Sequence, residues 1–312
     1  MEKIQSQSKN LNMRRFFCYL VLILLTIASL FPFYIMIVNC TRSHMQIQRG
    51  FSILPSKFFF KNFLNLAINK EINSDFWQGL LQKYGVALSS KTGNYAENYP
   101  ILRGMANSLL IAVLQAAFTT YFSAMTAYGI YMYNFKLKKF SFRFIMAVMM
   151  VPTQVSTLGF LRLLDKLHLM NNYLAFIIPA MAAPIVFFYM YQSMEATLPY
   201  SIVEAARVDG CNEFRTFNQI AVPMLKPAFA VQAIFSFVSS WNNYFIPALV
   251  ISKKKLWTVP IVIANARNAD YLNNDQGINY MLMTLAIVPL MIVYFALSKY
   301  IIAGSTAGGV KE

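Results

Sequence analysis

The sequence predicts an all-α membrane protein with six transmembrane helices, and two observations carry this prediction. Of its 312 residues, 57% are hydrophobic and only 12% are charged, whereas charged residues make up about a quarter of a soluble globular chain. The hydrophobic residues also form long runs, and about 20 helical residues are enough to cross a hydrocarbon layer roughly 30 Å thick. We therefore expect a protein that crosses the membrane several times.

The first span, about residues 16–38, is too long for the core of a signal peptide. It follows a polar and basic segment, residues 1–15, which predicts a cytoplasmic N-terminus by the positive-inside tendency. The other predicted spans are residues 106–132, 144–161 (broken by Pro152), 173–192, 228–251 and 281–302. On this topology residues 16–302 form the transmembrane domain, residues 41–103 form an outer loop, and the Gly-rich tail 303–312 is cytoplasmic.

The one long polar interval between two spans on the cytoplasmic side runs from Met194 to Pro227, and we call it the coupling segment. It has the pattern of two short helices joined at a corner. Pro199 suits the first turn of a helix, and Gly210 suits the left-handed position that ends one. Asn212 is a suitable N-cap for the second helix, and Pro223 is expected to limit its length.

Within this segment, Glu204-Ala205-Ala206, then Gly210, then Ile220-x-x-Pro223, resembles the EAA motif of ABC importer permeases. Two further stretches, residues 241–247 and 303–311, resemble the carbohydrate-uptake branch of that family, in particular the maltose-type second permease subunit. The resemblance covers the chain from about residue 104 to the end, and the first helix more weakly.

The resemblance implies the type I ABC importer permease fold, with a cytoplasmic coupling helix that docks on a separate ATP-hydrolysing subunit. It implies a charged contact with the ATPase at Glu204, close approach at Ala205 and Ala206, and a corner at Gly210, where Asp209 is expected to stabilise the turn. Pro223 completes the motif.

The implied partners are an ATP-binding subunit dimer, a second permease subunit, an extracytoplasmic sugar-binding protein and membrane lipid. The implied location is the bacterial cell membrane, with both termini cytoplasmic. The outer loop is longer than the resemblance leads us to expect, mainly across residues 71–99, which either help to receive the binding protein or are an embellishment.

Polar side chains in two spans are candidates for the solute pathway. They are Ser236, Ser240, Trp241 and Asn243 in the fifth span and Gln154 in the third. Polar residues between membrane helices also serve as interhelical hydrogen-bond donors and acceptors, so both interpretations stay open here.

Other function classes receive less support from the residues. The cores of the six spans hold no ionisable side chain, which disfavours an ion-coupled secondary transporter. The sequence has no phosphate-binding loop or intramembrane protease motif, so we expect a transport subunit and not an enzyme. No metal or other cofactor is expected, and nucleic-acid binding is disfavoured because no known binding module is present. An ABC permease for a non-sugar solute remains the main alternative.

Overall fold

The computed structural model describes residues 2–67, 79, 83, 98–268 and 275–307, and throughout this part of the chain the regular structure is helical. The helices, numbered in chain order, are α1 (Glu2–Cys40), α2 (His44–Gln48), α3 (Phe59–Ala67), α4 (Ile101–Met132), α5 (Lys138–Met149), α6 (Thr153–Lys166), α7 (Leu174–Ala180), α8 (Pro184–Thr197), α9 (Tyr200–Val208), α10 (Glu213–Met224), α11 (Lys226–Asn242), α12 (Phe245–Val250), α13 (Val259–Arg267) and α14 (Gln276–Ala307).

Four stretches of the described chain are long and apolar enough to cross a membrane: 14–40, 101–132, 174–197 and 276–296. They correspond to the predicted first, second, fourth and sixth spans, and a total of six is reached if each of two bent helix pairs counts as one span. The helices run past several predicted ends. α1 begins within the predicted N-terminal segment, and α14 continues into the predicted tail as far as Ala307.

The first bent pair is α5 and α6, which meet at an angle of 101°. Pro152 stands between them with an extended backbone, at φ −62° and ψ 126°. A proline lacks the N–H that would continue the helix, and it disfavours helical geometry at the preceding residue. The predicted break in the third span therefore exists, and it is a sharp corner.

The second bent pair is α10 and α11, which meet at 83°. Pro223 was expected to limit the length of the first of these helices, and α10 ends at Met224, one residue after it. A π-helical turn over Phe217–Ala221 precedes the proline, and in it the Val222 amide bonds to the Phe217 carbonyl. The wider turn relieves the clash between the proline ring and the carbonyl four residues earlier.

The chain divides into two compact units, one of residues 1–99 with 266–285 and the other of residues 100–265 with 286–312. In the first unit, the buried Arg42 guanidinium donates to Asn39 Oδ1 at 3.0 Å and to the Gly50 carbonyl at 2.9 Å. The Asn62 amide donates to the carbonyls of Cys40 and Arg42 at 2.8 and 2.9 Å. Most of the predicted extension 71–99 lies outside the described residues.

The second unit is built around α4. Its largest buried cluster joins α4 to α8, α9 and α10, with Met190, Met194, Val203 and Phe217 at its centre. The start of α4 is fixed separately, since the Asn107 amide donates to the carbonyls of Lys255 and Trp257 at 3.1 and 2.9 Å. Because α9 and α10 of the coupling segment pack against α4 in the buried cluster, α4 is the helix that supports this segment.

Gly277 gives a test of the packing in the first unit. A Cβ atom at this position would lie 2.4 Å from the Arg42 carbonyl oxygen, a backbone atom that cannot rotate away. We expect Gly277→Ala to destabilise the protein by about 1–3 kcal/mol, seen as a lower melting temperature in detergent. Gly129→Ala is the control, because a Cβ there meets nothing within 4 Å. Equal melting temperatures for the two variants would contradict this packing.

Candidate functional site: the coupling segment and a polar groove

The coupling segment has the predicted helix–corner–helix geometry. α9 begins directly after Pro199, and Gly210 adopts the left-handed conformation with φ +79°. Asn212 caps α10, since its side-chain oxygen accepts the Arg215 amide at 2.8 Å. The predictions for Gly210 and Asn212 are confirmed, because each depends on backbone chemistry that the residue type itself decides. Pro199 stands one position before the predicted first turn, as the N-cap residue.

The motif residues of α9 lie on different faces. Glu204 and Ala205 are exposed, whereas Val203 and Ala206 are buried, with 0% and 5% of their surface accessible. Ala206 therefore packs inside its own chain and does not present its methyl group to a partner. Asp209 is exposed at the end of α9, where its carboxylate makes no hydrogen bond with any described residue. Pro223 is exposed in α10.

The coupling segment exposes several large apolar side chains. Ile202, Val208 and Phe214 are exposed, and Val208 and Phe214 keep 87% and 67% of their surface accessible. Together with Ala205 and Glu204 they form a surface of apolar side chains beside one carboxylate, which we call the docking face. Such a surface on a short element outside the spans is typical of a protein–protein contact.

Three tyrosines of α4 hold the inner face of the coupling segment, and we call Tyr121, Tyr128 and Tyr131 the tyrosine stripe. Tyr121 donates to Asn218 Oδ1 at 3.1 Å, and Tyr128 donates to Glu213 Oε2 at 3.0 Å. Tyr131 donates to the Leu198 carbonyl at 3.2 Å. The stripe thus contacts both ends of the segment, before and after its corner.

Aromatic packing reinforces these hydrogen bonds. The Phe217 ring lies 5.6 Å from the Tyr121 ring and 5.3 Å from the Tyr128 ring. The rings of Tyr131 and Tyr200 are 4.7 Å apart, and Tyr200 donates back to the Tyr131 carbonyl at 3.1 Å. Aromatic pairs at these separations contribute about 0.5–1.5 kcal/mol each beyond the area they bury.

An ion pair closes the corner. Arg207 Nε on α9 lies 2.6 Å from Glu213 Oε1 on α10, and the Arg207 guanidinium stacks 5.4 Å from the Tyr133 ring. Burial alone would raise the pKa of Glu213, but the hydrogen bonds from Arg207, Tyr133 and Tyr128 hold it below its ordinary value. Glu213 is therefore an anion that joins the two short helices to the end of α4.

The sequence analysis missed this arrangement. No role was predicted for Arg207 or for the tyrosines of α4. The spacing of Tyr121, Tyr128 and Tyr131 places them on one face of a helix, and this was the available signal. Their partners lie 67 to 97 positions away in the chain.

Some of the predicted pathway residues meet in a groove of about 370 Å³ between α4, α8 and α11, which we call the polar groove after the amide and hydroxyl side chains along its otherwise apolar wall. Ser236, Ser240 and Asn243 line it, together with Gln115 of α4, to which Ser240 donates a hydrogen bond. Two other candidates lie elsewhere. Trp241 is buried, stacks on Phe237 and donates to the Ala286 carbonyl at 3.1 Å, and Gln154 is exposed on α6.

Comparison with known proteins identifies the family. Residues 119–304 match the family described as binding-protein-dependent transport system inner membrane component. The chain is 34% identical over 209 residues to the arabinooligosaccharides transport system permease protein AraQ of Bacillus subtilis (strain 168), an alignment that covers 66% of this chain and 72% of that protein. It is 26% identical over 293 residues to the lactose transport system permease protein LacG of Rhizobium radiobacter. That alignment covers 94% of this chain and 95% of LacG.

The fold has a counterpart among solved structures. A chain of a bacterial ABC transporter involved in the import of the acidic polysaccharide alginate superposes with a TM-score of 0.75 at 17% identity, covering 93% of this chain and 97% of that one. The predicted all-α, type I ABC importer permease fold is thereby confirmed. The chain belongs to the binding-protein-dependent transport system inner membrane component family, as a multi-pass membrane permease subunit of an ABC importer.

Proposed function

We propose that this permease imports sugars or oligosaccharides and that its coupling segment is the point at which an ATPase drives the transport cycle. The observation that carries the proposal is the division of the segment into an exposed docking face and an inner face bound to α4. The names of its relatives, which transport arabinooligosaccharides and lactose, support a carbohydrate cargo. The family works with an ATPase and a substrate-binding protein.

The docking face supplies the two kinds of contact that a protein interface needs. Val208 and Phe214 provide exposed apolar area on either side of the corner, and such side chains dominate the energy of association when they enter a pocket. Glu204 supplies a charge beside them, which is suited to fixing the register of the contact. In this proposal Ala205 permits close approach, while Ala206 supports the helix from within.

Movement of the docking face reaches the spans through the tyrosine stripe. The ion pair between Arg207 and Glu213 keeps α9 and α10 together, and Tyr128 attaches that pair to α4. Because α11 follows α10 after one residue, a displacement of the segment also turns α11. α4 and α11 both border the polar groove, and rotation of rigid helices there would expose the groove alternately to the two sides.

The remaining assignments follow from this mechanism. The coupling segment and both termini face the cytoplasm of a bacterial cell, where an ATP-binding subunit dimer engages this chain and a second, different permease subunit. An extracytoplasmic sugar-binding protein delivers the solute, and residues 71–99 are one candidate for its contact. Ser236, Ser240 and Asn243 face the solute pathway.

Glu204 and Gly210 test the docking role. We expect Glu204→Lys to abolish ATP-dependent uptake because it reverses the charge on the docking face. Gly210→Pro should do the same, because proline cannot adopt φ +79°. Membrane insertion, measured by protease accessibility, should be unchanged in both. Glu195→Lys is the matched control, since Glu195 is exposed but lies outside the docking face. Normal solute-stimulated ATPase activity in the Glu204 variant would contradict the assignment.

Glu213 and Tyr128 test transmission. The ion pair is more than a third exposed, and pairs of that kind contribute only about 0–1 kcal/mol to stability. We therefore expect Glu213→Ala and Tyr128→Phe to change the melting temperature little but to lower the amount of solute imported per ATP hydrolysed by about threefold or more. The measurement is paired uptake and ATPase assays in proteoliposomes. Unchanged stoichiometry in both variants would exclude this route.

A further inference from the structure

We propose that the polar groove is a binding site for an uncharged, polyhydroxylated solute and that Gln232 is its specificity-determining residue. The inference rests on the import function proposed above and adds to it the residue that selects the solute and the reason why that solute is uncharged. Gln232 lies on α11 one helical turn before Ser236, and both line the groove.

The Gln232 side-chain amide has no hydrogen-bond partner in the described part of the chain. Only 7% of its surface is accessible, and among the described residues its side chain makes no hydrogen bond. A primary amide offers two donors and an acceptor, and leaving such a group buried and unpaired is unfavourable. Within the described chain, the one side-chain atom sealed from solvent without a partner is Thr258 Oγ1. The Gln232 amide is therefore not sealed, and the groove that it lines is where it can find a partner.

Two serine hydroxyl groups near Gln232 are also available to form hydrogen bonds with a solute. Elsewhere in the long helices, Ser and Thr hydroxyls donate to the carbonyl four residues earlier, as Thr120 does to Ala116 and Thr284 does to Tyr280. Ser236 and Ser239 form no such bond within the described structure, although both line the groove. They are thus free to bind hydroxyl groups of a solute.

The position of these groups within the membrane domain favours an aqueous pathway. Gln232, Ser236 and Ser239 recur at spacings of four and three, so they share one face of α11, and Asn243 directly follows the last residue of this helix. These polar side chains make no hydrogen bond with a described residue, and they are poorly suited to contact with lipid, because hydrocarbon offers no hydrogen-bond partners. In a polar passage, water or the solute supplies these hydrogen-bond partners.

The lining indicates a neutral ligand. It contains amides, hydroxyls and apolar side chains, including the exposed ring of Phe235, and it contains no Lys, Arg or His. Phosphate and carboxylate groups are usually recognised by such cations. The start of α8 at Pro184 also borders the groove, but the positive end of a helix attracts any oxygen atom and does not require an anion.

The test is ATP-dependent uptake by the complete importer, containing its partner permease, ATPase and binding protein, in proteoliposomes. The probes are radiolabelled lactose, arabinotriose and glycerol 3-phosphate. We expect uptake of at least one of the two sugars and not of the phosphate. For that sugar, Gln232→Leu should lower the initial rate by about tenfold or more, the factor expected for a lost hydrogen bond in a polar site. Gln232→Asn should recover part of the loss, and Gln192→Leu, at an exposed position outside the groove, should have no effect.

A second measurement does not depend on the rate of uptake. With Cys18, Cys40 and Cys211 replaced by serine, Ser239→Cys should react with a water-soluble methanethiosulfonate reagent, and the transported sugar should slow that reaction. A thiol at position 239 that never reacts would overturn the site.

The outcomes separate this inference from the proposed function. Normal uptake by Gln232→Leu in a wild-type complex that imports sugar would overturn the site and leave the import function intact. Uptake of glycerol 3-phosphate but of neither sugar would overturn the neutral class. No ATP-dependent uptake of any probe would contradict the proposed function, and this inference with it.

Discussion

The attachment of the coupling segment to α4 is the interaction on which the rest of the structure depends. A short helix outside the spans can move the membrane domain only if it is fixed to something rigid. Tyr121, Tyr128 and Tyr131 provide that connection at three points, and Phe217 fills the space between two of them. Each bond contributes about 0.5–1.5 kcal/mol. Their distribution on both sides of the corner matters more, because it prevents α9 and α10 from moving independently of α4.

The corner is the second requirement. Gly210 ends α9 in a conformation that other residues adopt only with strain, and the ion pair of Arg207 with Glu213 then fixes α10 against α9. The π-helical turn before Pro223 lets α10 continue almost to α11, so that only Leu225 separates the two helices. The docking face, the corner and one wall of the polar groove therefore follow one another in the chain. A displacement of the docking face reaches that wall through a short stretch of covalent backbone.

The sequence was sufficient for features that depend on local chemistry. The hydrophobic runs predicted the spans, and Gly210, Asn212 and Pro152 predicted a corner, a cap and a break at their observed positions. The sequence could not predict features that depend on contacts between residues far apart in the chain. Trp241 was a candidate for the solute pathway for which both interpretations were open, and its indole packs on Phe237 and donates to the Ala286 carbonyl. Ala205 and Ala206 are equivalent in the motif, and only the folded chain decides that the second is buried, with 5% of its surface accessible. Nothing in the sequence distinguished Gln232 from other polar residues. It stands out only in the structure, where its buried side chain makes no hydrogen bond with a described residue.

The most direct test of the central claim is photo-crosslinking in intact cells, with a photoreactive amino acid placed in turn at Ala205, Val208 and Ala206. Ala205 and Val208 lie on the exposed side of α9, whereas Ala206 is buried against its own chain. The account predicts that the first two positions capture the ATPase subunit and that position 206 gives crosslinks only within the permease. Capture of the ATPase from Ala206 but not from Ala205 or Val208 would contradict the orientation of the coupling segment and the mechanism built on it.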